Sequence, residues 1–368
     1  MADLQKIKRE LARPFKQLAR NFFLPARRVG GSLRRIRYDA NRKKNIRVTE
    51  GVQAAGREIA VLLIYQPQGV LESTYFTLSY LAEQGVSTIV VSNAPLADDD
   101  RERLAANSCL VIERPNVGYD FGGYREGILT VLERRLQPEA LYVLNDSIWF
   151  PLRSDSDTIE QCREASEDVF GLKANILRKR RGCRSILHSF FYRFSAKVVA
   201  STTFCDYWKN MALINHKPTV IEEFEFKLAE HFRHHGFTVG SVINPSKVTE
   251  YLTNLRDGEK LRQILRYQMK TFPSQSAFIQ NMLDQDSLGL PVNKQIPDAI
   301  QSHGIFTVTY TLHPWISQAL GSNFVKKSNP SDMKAKRVEI RRLGLHRSYH
   351  PTVRDEIERW DTLSDRQH

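Results

Sequence analysis

The sequence lacks the features that mark several common classes of protein. No apolar run approaches the roughly 18–20 residues that a membrane-spanning helix needs, and charged side chains interrupt the N-terminus where a signal peptide would be continuously apolar. The four cysteines form no CxxC pair and follow no metal-ligand spacing, so we expect reduced thiols in a cytoplasmic protein. No GxGxxG turn follows the first predicted strand and no GxxxxGK[ST] loop occurs, which disfavours a dinucleotide-binding domain and a P-loop NTPase.

Positive charge is concentrated at the N-terminus. The net charge of the chain is +13 at pH 7, and residues 1–47 hold fifteen Lys and Arg against three acidic residues, a net charge of +12. The remainder is nearly neutral and has no basic stripe with regularly interleaved aromatic residues, so no nucleic-acid partner is expected.

Apolar residues recur about once per helical turn among the bases of residues 4–24, which predicts a basic amphipathic helix. Pro25 and the Gly30–Gly31 pair are expected to end it, and a loose basic segment is expected to continue to Arg47. Such a helix suits an anionic membrane surface. A flexible tail without a partner is the alternative.

Strands and helices alternate after this basic segment. The continuous apolar run at 59–65 is typical of a strand buried on both faces. Further strands are predicted at 87–91, 109–112 and 141–144, separated by helices at 72–84, 98–106 and 124–136. This alternation indicates a mainly parallel sheet with right-handed crossovers.

Polar clusters follow two of the predicted strands. A turn after Ile112 is crowded by Asn116, Gly118, Asp120, Gly122 and Gly123, where glycine permits positive φ and close approach to a ligand. The triplet Asn145-Asp146-Ser147 follows the strand at 141–144. Because open α/β sheets bind ligands beyond the carboxyl ends of their strands, one site is predicted here.

The pattern becomes less regular after residue 151. We predict a helix at 156–166, a strand at 169–175 that reaches a basic cluster at 178–184, a strand and helix over 188–201, a helix within 218–236 and a strand at 237–242. Short helices follow from residue 261, and residues 326–368 are charged and helical. The strand-end carboxylate, the basic cluster and the glutamates of residues 222–225 suit a diphosphate-bearing substrate, whose charge needs Mg²⁺, Mn²⁺, Arg or Lys.

Two stretches together resemble a known family. The sequence NVGYDFGGY (116–124) followed by YVLNDSIWFPL (142–152) resembles the signature of the rhamnan synthesis protein F family, bacterial glycosyltransferases of lipopolysaccharide and rhamnose-containing polysaccharide assembly. The resemblance covers residues 58–250, with weaker supporting stretches at 89–96, 169–175, 188–199 and 220–237. More distantly, the chain is similar to inverting family-2 glycosyltransferases of GT-A fold. The resemblance implies an α/β, GT-A-like (Rossmann-like) fold with a basic helical N-terminal arm and a helical C-terminal extension.

The resemblance also implies roles for individual residues. Ser92 and Asn93 would hold the nucleobase and ribose, and Asn116, Gly118 and Asp120 would shape the turn beside the nucleotide. Asn145, Asp146 and Ser147 occupy the place of an acidic DxD tip, with Asp146 as the metal or diphosphate contact.

Catalysis and phosphate binding are implied for a second set. Glu225 matches the family's glutamate and is the predicted general base for the acceptor hydroxyl, and His188 would touch donor or acceptor. Arg180 and Arg181 of the basic cluster would bind the nucleotide sugar. Structural roles are the alternatives: Asp120 as a helix cap, the Gly122–Gly123 pair for helix packing, and His188 as a buried structural histidine.

The strand tip departs from the family pattern because it supplies one carboxylate instead of two. Either another ligand, such as Asp120 or His303, assists a divalent cation (Mg²⁺ or Mn²⁺), or the basic cluster takes over part of the charge neutralisation. Metal dependence therefore stays open.

We accordingly predict four segments: a basic amphipathic arm (1–57), a GT-A-like glycosyltransferase domain (58–250), the C-terminal part of the catalytic body (251–325) and a charged helical tail (326–368). The predicted function is inverting transfer of a sugar, rhamnose first, from dTDP-rhamnose or another nucleotide sugar to a lipid-linked glycan. Residues 1–47 would contact the inner face of a bacterial cytoplasmic membrane. The alternatives are a non-catalytic scaffold of the same fold and, less favoured, a nucleic-acid-binding protein with a basic arm.

Overall fold

A mainly parallel β-sheet occupies the centre of the protein in the computed structural model, which describes residues 23–179, 182–306, 308 and 311–364; the side chains of residues 177–184 and 362–364 fall outside the described part. The strands of the described residues are β1 (Arg47–Glu50), β2 (Glu58–Ile64), β3 (Val86–Ser92), β4 (Leu110–Glu113), β5 (Ala140–Asn145), β6 (Ile148–Trp149), β7 (Val169–Lys179), β8 (Gly182–Leu187), β9 (Phe191–Ser195), β10 (Val239–Ile243) and β11 (Val325–Lys326).

Helices cover both faces of this sheet. In chain order they are α1 (residues 23–40), α2 (Arg42–Asn45), α3 (Glu72–Glu83), α4 (Asp98–Ala106), α5 (Tyr119–Glu133), α6 (Thr158–Glu164), α7 (Ala196–Val199), α8 (Thr202–Asn210), α9 (Lys217–Val220), α10 (Phe226–His234), α11 (Pro245–Asn254), α12 (Gly258–Thr271), α13 (Ser276–Ser287), α14 (Val292–Asp298), α15 (Pro314–Ala319), α16 (Ser331–Arg342) and α17 (Pro351–Ser364). No helix within the described ranges combines the length and the apolar character needed to cross a bilayer.

The strand order is β1-β4-β3-β2-β5-β9-β7-β10, and β8 pairs with β7 outside this path. Strands β4, β3, β2 and β5 run parallel to one another. Strand β1 adds antiparallel to β4 at one edge, and β9 lies antiparallel between β5 and β7. The predicted α/β architecture, a mainly parallel sheet flanked by helices, is confirmed.

Strand β2 shows how the sequence produces this arrangement. Successive side chains of a strand point to opposite faces, so the continuous apolar run supplies both faces of the sheet. Ala60, Leu62 and Ile64 belong to the core shared with α3. Ile59, Val61 and Leu63 belong to the core shared with α5.

The expectation for the N-terminal segment was wrong in part. Residues 23–40 are helical through Pro25 and the Gly30–Gly31 pair, and the predicted loose segment contains α2 and strand β1. The physical reason is tertiary contact: Tyr38 Oη donates to Glu126 Oε2 at 2.7 Å, and Arg34 Nη1 donates to the Leu213 carbonyl oxygen at 2.7 Å. The earlier part of the predicted helix, up to residue 22, lies outside the described residues.

The glycine-rich turn is shorter than predicted. Helix α5 begins at Tyr119, so the Gly122–Gly123 pair lies inside its first turns and not in a loop. A Cβ atom at Gly123 would overlap the side chain of Leu63 on β2. This glycine therefore lets α5 approach the sheet, as in the packing alternative.

The chain after residue 151 forms two features that periodicity did not reveal. Strand β7 extends past the predicted end at Asn175 and pairs antiparallel with β8, so part of the predicted basic cluster belongs to a hairpin. Near the C-terminus, β11 pairs antiparallel with β6, placing Lys326 opposite Ile148. The predicted helical character of the C-terminal segment is found in α16 and α17.

Candidate active site

The parallel strands bring the predicted polar clusters to one edge of the sheet. Strand β2 lies between β3 and β5. Asn93 follows the carboxyl end of β3 and Asp146 follows that of β5, so the two residues are one strand apart at the same edge. Gly118 precedes α5 after the end of β4. This is the edge at which open α/β sheets bind ligands.

Asp146 directly follows β5 and is held by the loop after β2. Its backbone N–H donates to the Leu63 carbonyl oxygen at 3.0 Å. Its Oδ2 accepts hydrogen bonds from the Tyr65 backbone N–H and from Gln66 Nε2, each at 2.9 Å. One backbone and two side-chain hydrogen bonds therefore hold Asp146, with its half-buried carboxylate, at the strand end.

Asp120 supplies a second carboxylate beside this tip. Asn145 Nδ2 donates to Asp120 Oδ2 at 3.3 Å, while Asn145 Oδ1 accepts from the Ser147 hydroxyl at 2.6 Å. Burial raises the pKa of Asp120, and the charge of Asp146 raises it further. Two carboxylates that repel one another mark a position where added positive charge is favourable.

Ser92 ends β3 and Asn93 follows it, and both side chains are buried beneath the predicted site. Asn93 Nδ2 donates to Asn116 Oδ1 at 3.1 Å, and Asn93 Oδ1 accepts from Arg114 Nη1 at 2.5 Å. The Ser92 hydroxyl is fully buried and donates to the Ala94 carbonyl oxygen at 2.6 Å. Both side chains thus have structural hydrogen bonds inside the protein, and their contact with a nucleotide stays a prediction.

Gly118 requires its glycine identity. Its φ of +80° lies in the left-handed region, and its backbone N–H donates to Asn215 Oδ1 at 2.8 Å. Asn215 is exposed and belongs to the segment between α8 and α9. The turn therefore contacts a segment about a hundred residues later, which local sequence reasoning did not identify.

Glu225 and His188, each a predicted site residue, form a hydrogen-bonded pair. His188 Nδ1 lies 3.2 Å from Glu225 Oε1. Glu225 closes a π-helical turn (Ile221–Glu225), a local irregularity common at functional sites. Burial lowers the pKa of His188. Burial alone would raise the pKa of Glu225, but His188 and Lys326 outweigh it and hold this pKa below its usual range. The pair therefore consists of a neutral imidazole and an ionised carboxylate near neutral pH.

Lys326 joins the two groups of carboxylates and was missed by sequence reasoning. Its Nζ donates to the Ser147 hydroxyl at 2.9 Å and lies 4.7 Å from the centroid of the Phe190 ring. Burial lowers the pKa of Lys326, whereas the charges of Glu225, Asp120 and Asp146 oppose that shift. Lys326 thus interacts electrostatically with all three carboxylates of the site.

Two other cations border the site. Lys327 is buried, donates from Nζ to the Ser73 hydroxyl at 3.0 Å and interacts electrostatically with Asp146. Lys217 is exposed and interacts with Asp120. Arg180 and Arg181 lie outside the described residues, so their predicted phosphate contact stays a prediction.

The described residues contain no group of three or more His, Cys, Asp and Glu side chains arranged to hold a metal ion. His303 stacks on Phe278 with ring centroids 3.7 Å apart. Asp120 and Asp146 remain as two neighbouring carboxylates. This donor set fits Mg²⁺ or Mn²⁺ only in the form common for diphosphate substrates, in which one or two carboxylates and the phosphate oxygens share the ion.

Comparisons with known proteins place the chain in a family. The model of the RgpF family, rhamnan synthesis protein F, matches residues 88–280. The protein y4gN of Sinorhizobium fredii (strain NBRC 101917 / NGR234) is 34% identical over 333 residues, covering 90% of this chain and 86% of the relative.

Similarity to solved structures is weak. The mannosyltransferase PcManGT from Pyrobaculum calidifontis, in complex with GDP-Man and Mn²⁺, has a TM-score of 0.33 and 11% identity, covering 94% of this chain and 97% of that one. Core-mannan synthase A (CmsA/Ktr4) from Aspergillus fumigatus, in an Mn/GDP form, has a TM-score of 0.28 and 10% identity, covering 44% of this chain and 66% of that one. Both likenesses are too weak to bear on the fold or the ligands of this chain. The family match and the relative, by contrast, confirm the predicted family: the chain belongs to the rhamnan synthesis protein F family of glycosyltransferases.

Proposed function

We propose that this protein transfers a sugar from a nucleoside diphosphate donor to a lipid-linked glycan, with inversion at the anomeric carbon. Rhamnose is the proposed sugar, dTDP-rhamnose the proposed donor, and bacterial O-antigen or related cell-surface polysaccharide the proposed product. The observation that carries this proposal is the arrangement around Lys326. Its Nζ donates to the Ser147 hydroxyl at the strand tip, and it interacts electrostatically with Glu225, a candidate base, and with Asp120 and Asp146, the candidate phosphate-side carboxylates.

The nucleotide is proposed to bind across the ends of β3 and β4. There the side chains of Asn93 and Asn116 are hydrogen-bonded to each other, and the left-handed Gly118 turns the chain into α5. An amide pair at the strand ends suits the edges of a base and ribose, because both offer hydrogen-bond donors and acceptors.

The diphosphate is proposed to lie between Lys326 and the Asp120–Asp146 pair. Lys326 would neutralise part of its negative charge, and Lys217 would add to the local positive potential. A divalent cation held by the two carboxylates and the phosphate oxygens would supply further charge neutralisation when bound. Asn145 stands at the tip position where a DxD motif would have a carboxylate. Its side-chain amide donates to Asp120 and would position that carboxylate instead.

Glu225 is proposed to act as the general base. Its carboxylate is ionised because its pKa is held low, and His188 keeps it in place. The acceptor hydroxyl would give its proton to Glu225, and the oxygen would form a bond to the anomeric carbon. The bond from that carbon to the diphosphate oxygen would break at the same time, and the departing diphosphate would keep the electron pair. A single displacement of this kind inverts the configuration.

The charge distribution supports the proposed acceptor and cellular location. Residues 1–47 carry a net charge of +12, and a cluster of this kind is attracted to anionic lipid, at about 1 kcal/mol per Lys or Arg near the surface. We therefore propose that the protein works at the inner face of the bacterial cytoplasmic membrane on a lipid-linked acceptor.

Calorimetry with a panel of nucleotide sugars tests the proposal. We expect one donor among dTDP-rhamnose, GDP-sugars and UDP-sugars to bind wild-type protein selectively, with and without Mn²⁺, and to bind Asp146→Ala more weakly. Asp155→Ala is a matched control, because Asp155 is exposed and pairs with Arg153 outside the site. Absence of binding to every donor, by protein with a native circular dichroism spectrum, would contradict the proposal and favour the scaffold alternative.

A further inference from the structure

Helix α1 exposes an apolar surface to solvent. Val29, Leu33 and Ile36 are 62%, 53% and 54% exposed. Their spacing of four and three residues places them on one face of the helix, and Pro25 and Ala40 are exposed at the two ends of the same face. We call Val29, Leu33 and Ile36 the α1 stripe. A helix that lies against a protein normally turns its apolar side chains inward.

The apolar side chains of α1 can face solvent because the opposite face of the helix contacts the body of the protein through polar groups. Arg27 Nη1 donates to the Thr219 hydroxyl at 3.1 Å, and Tyr38 Oη donates to Glu126 at 2.7 Å. Between them, a Cβ atom at Gly31 would lie 2.8 Å from Ile214 Cγ1, so the helix backbone approaches the body closely. With arginine, tyrosine and glycine facing the protein, the aliphatic side chains have no protein surface to cover among the described residues.

Exposed cations follow the α1 stripe along the chain: Arg37 on α1, and Lys43 and Lys44 on α2. In the sequence, residues 1–22 before α1 hold six Lys and Arg against two acidic residues. An apolar strip one side chain wide, with cations beside it, has the composition of a helix that lies in the plane of an anionic bilayer.

We propose that the α1 stripe inserts into the interface of an anionic membrane, with the neighbouring cations on the lipid headgroups. This inference rests on the proposed function in one respect, since it identifies the surface that would bring the site to its lipid-linked acceptor. Charge complementarity selects lipid over a second copy of the chain, because two positively charged α1 surfaces repel each other.

Membrane binding through α1 also places the catalytic segment next to the lipid. Arg27 contacts Thr219, and Arg28 pairs with Glu223. Thr219 and Glu223 precede Glu225 in the same chain segment, and Glu225 is the proposed base. The helix that contacts the lipid therefore contacts directly the turn that would receive a proton from the acceptor.

Flotation of full-length protein with lipid vesicles tests this inference. We expect wild-type protein to bind vesicles of phosphatidylcholine with phosphatidylglycerol more than pure phosphatidylcholine vesicles. The double variant Leu33→Glu/Ile36→Glu should bind the mixed vesicles at least roughly tenfold less, since two exposed aliphatic side chains are replaced by anions. Leu288→Glu/Leu290→Glu is the matched control, because both leucines are exposed (83% and 58%) in the loop between α13 and α14, and it should bind as wild type does.

The inference would be overturned if wild-type protein did not bind the mixed vesicles, or if wild type and the α1 double variant bound them equally. It would also be overturned if wild-type protein were a dimer that binds no vesicles and the double variant were a monomer. Circular dichroism of each variant establishes that it is folded. Donor calorimetry separates this inference from the proposed function, since the α1 double variant should bind the donor as wild type does. Vesicle binding without donor binding would contradict the proposed function alone.

Discussion

Two buried histidine–glutamate pairs lie in two different regions of this protein. At the carboxyl edge of the sheet, His188 Nδ1 lies 3.2 Å from Glu225 Oε1. Among the C-terminal helices, His313 Nε2 lies 3.3 Å from Glu339 Oε1. Burial lowers the pKa of both histidines, that of His313 to about 4. The local chemistry of the two pairs is therefore nearly the same.

The surroundings of the two pairs differ. His313 is fully buried, and its Nδ1 accepts a hydrogen bond from the Trp315 backbone N–H at 3.2 Å, which caps α15. Arg342 and His313 hold the pKa of Glu339 low, so that pair is joined to helix caps and surface ion pairs. Glu225, by contrast, interacts electrostatically with Lys326 and Asp120 at the carboxyl edge of the sheet. Charged groups thus surround both pairs, but only the pair at the sheet edge has further carboxylates, Asp120 and Asp146, in its electrostatic surroundings among the described residues.

Replacement of the two glutamates gives the largest expected difference. Glu225→Gln should lower the rate of sugar transfer by roughly a thousandfold, the range of a lost general base, while donor binding stays close to that of wild type. Glu339→Gln should leave the transfer rate within about twofold of wild type, because this carboxylate contacts no proposed substrate position. Steady-state transfer assays and donor calorimetry on both variants measure these effects. Wild-type activity of Glu225→Gln would refute its assignment as the base.

The pH dependence of stability should come more from the C-terminal pair. In the folded state His313 has a pKa of about 4, below the value of about 6.5 for an unfolded histidine. The unfolded chain therefore binds the proton first. The contribution to stability is complete above about pH 6.5 and is lost as the pH falls towards 4, with a magnitude of roughly 3 kcal/mol.

His313→Asn isolates this contribution, since an Asn side chain can also accept from the backbone N–H at a helix start. Denaturant unfolding at several pH values between 7 and 4 should show a shallower loss of stability in this variant than in wild type. His188→Asn should retain most of the wild-type slope. Equal slopes in wild type and His313→Asn would show that the pKa of His313 is the same in the folded and the unfolded chain.

The elements that depend on local sequence patterns could be predicted from the sequence. The alternation of strands and helices from β2 to β5 matched the structure because continuous apolar runs and helical spacing report burial directly. The tip at Asp146 could be located for the same reason, since it follows a recognisable strand. The start of α5 was misplaced because Gly122 and Gly123, typical of turns, serve here to bring a helix close to Leu63.

Lys326 could not be located in this way. It lies 179 residues after Ser147, its hydrogen-bond partner, on a strand of two residues that has no periodicity to detect. The packing of α1 was missed for a similar reason. Arginine and tyrosine side chains are common at the surface, and distant partners such as Thr219, Glu223 and Glu126 attach this face of α1 to the body. Hydrogen bonds and ion pairs between residues far apart in the sequence therefore cannot be predicted from local periodicity.

Removal of a lysine from each region tests the role assigned to Lys326. Lys326→Met should weaken donor binding by roughly tenfold to a hundredfold, as expected for loss of a charge-assisted contact with a phosphate. Lys336→Met is the matched control in the C-terminal region. Its ammonium group is buried and donates to the Ser317 hydroxyl at 2.9 Å, and burial lowers its pKa to about 7. Donor calorimetry should show wild-type affinity for this control, and equal affinity of both variants would remove Lys326 from the donor site.

The smallest expected effects concern two half-exposed arginines, one from each region. Arg28 pairs with Glu223 near the π-helical turn, and Arg342 pairs with Glu339 on α16. Because the side chains of Arg28 and Arg342 are 51% and 57% exposed, replacing either by alanine should lower the free energy of unfolding by less than about 1 kcal/mol. The two variants should therefore be indistinguishable in a denaturation experiment.

Their transfer rates should nevertheless differ. Arg28 holds the segment that ends at Glu225, so Arg28→Ala should lower the transfer rate by about twofold to threefold through a less exactly placed base. Arg342→Ala has no such connection and should retain the wild-type rate. A lower rate in Arg28→Ala at unchanged donor affinity would identify α1 as a support for the catalytic turn. Equal transfer rates of Arg28→Ala and Arg342→Ala would show that α1 has no effect on catalysis through Arg28. The contact between Arg28 and Glu223 would then serve only to attach the helix to the body.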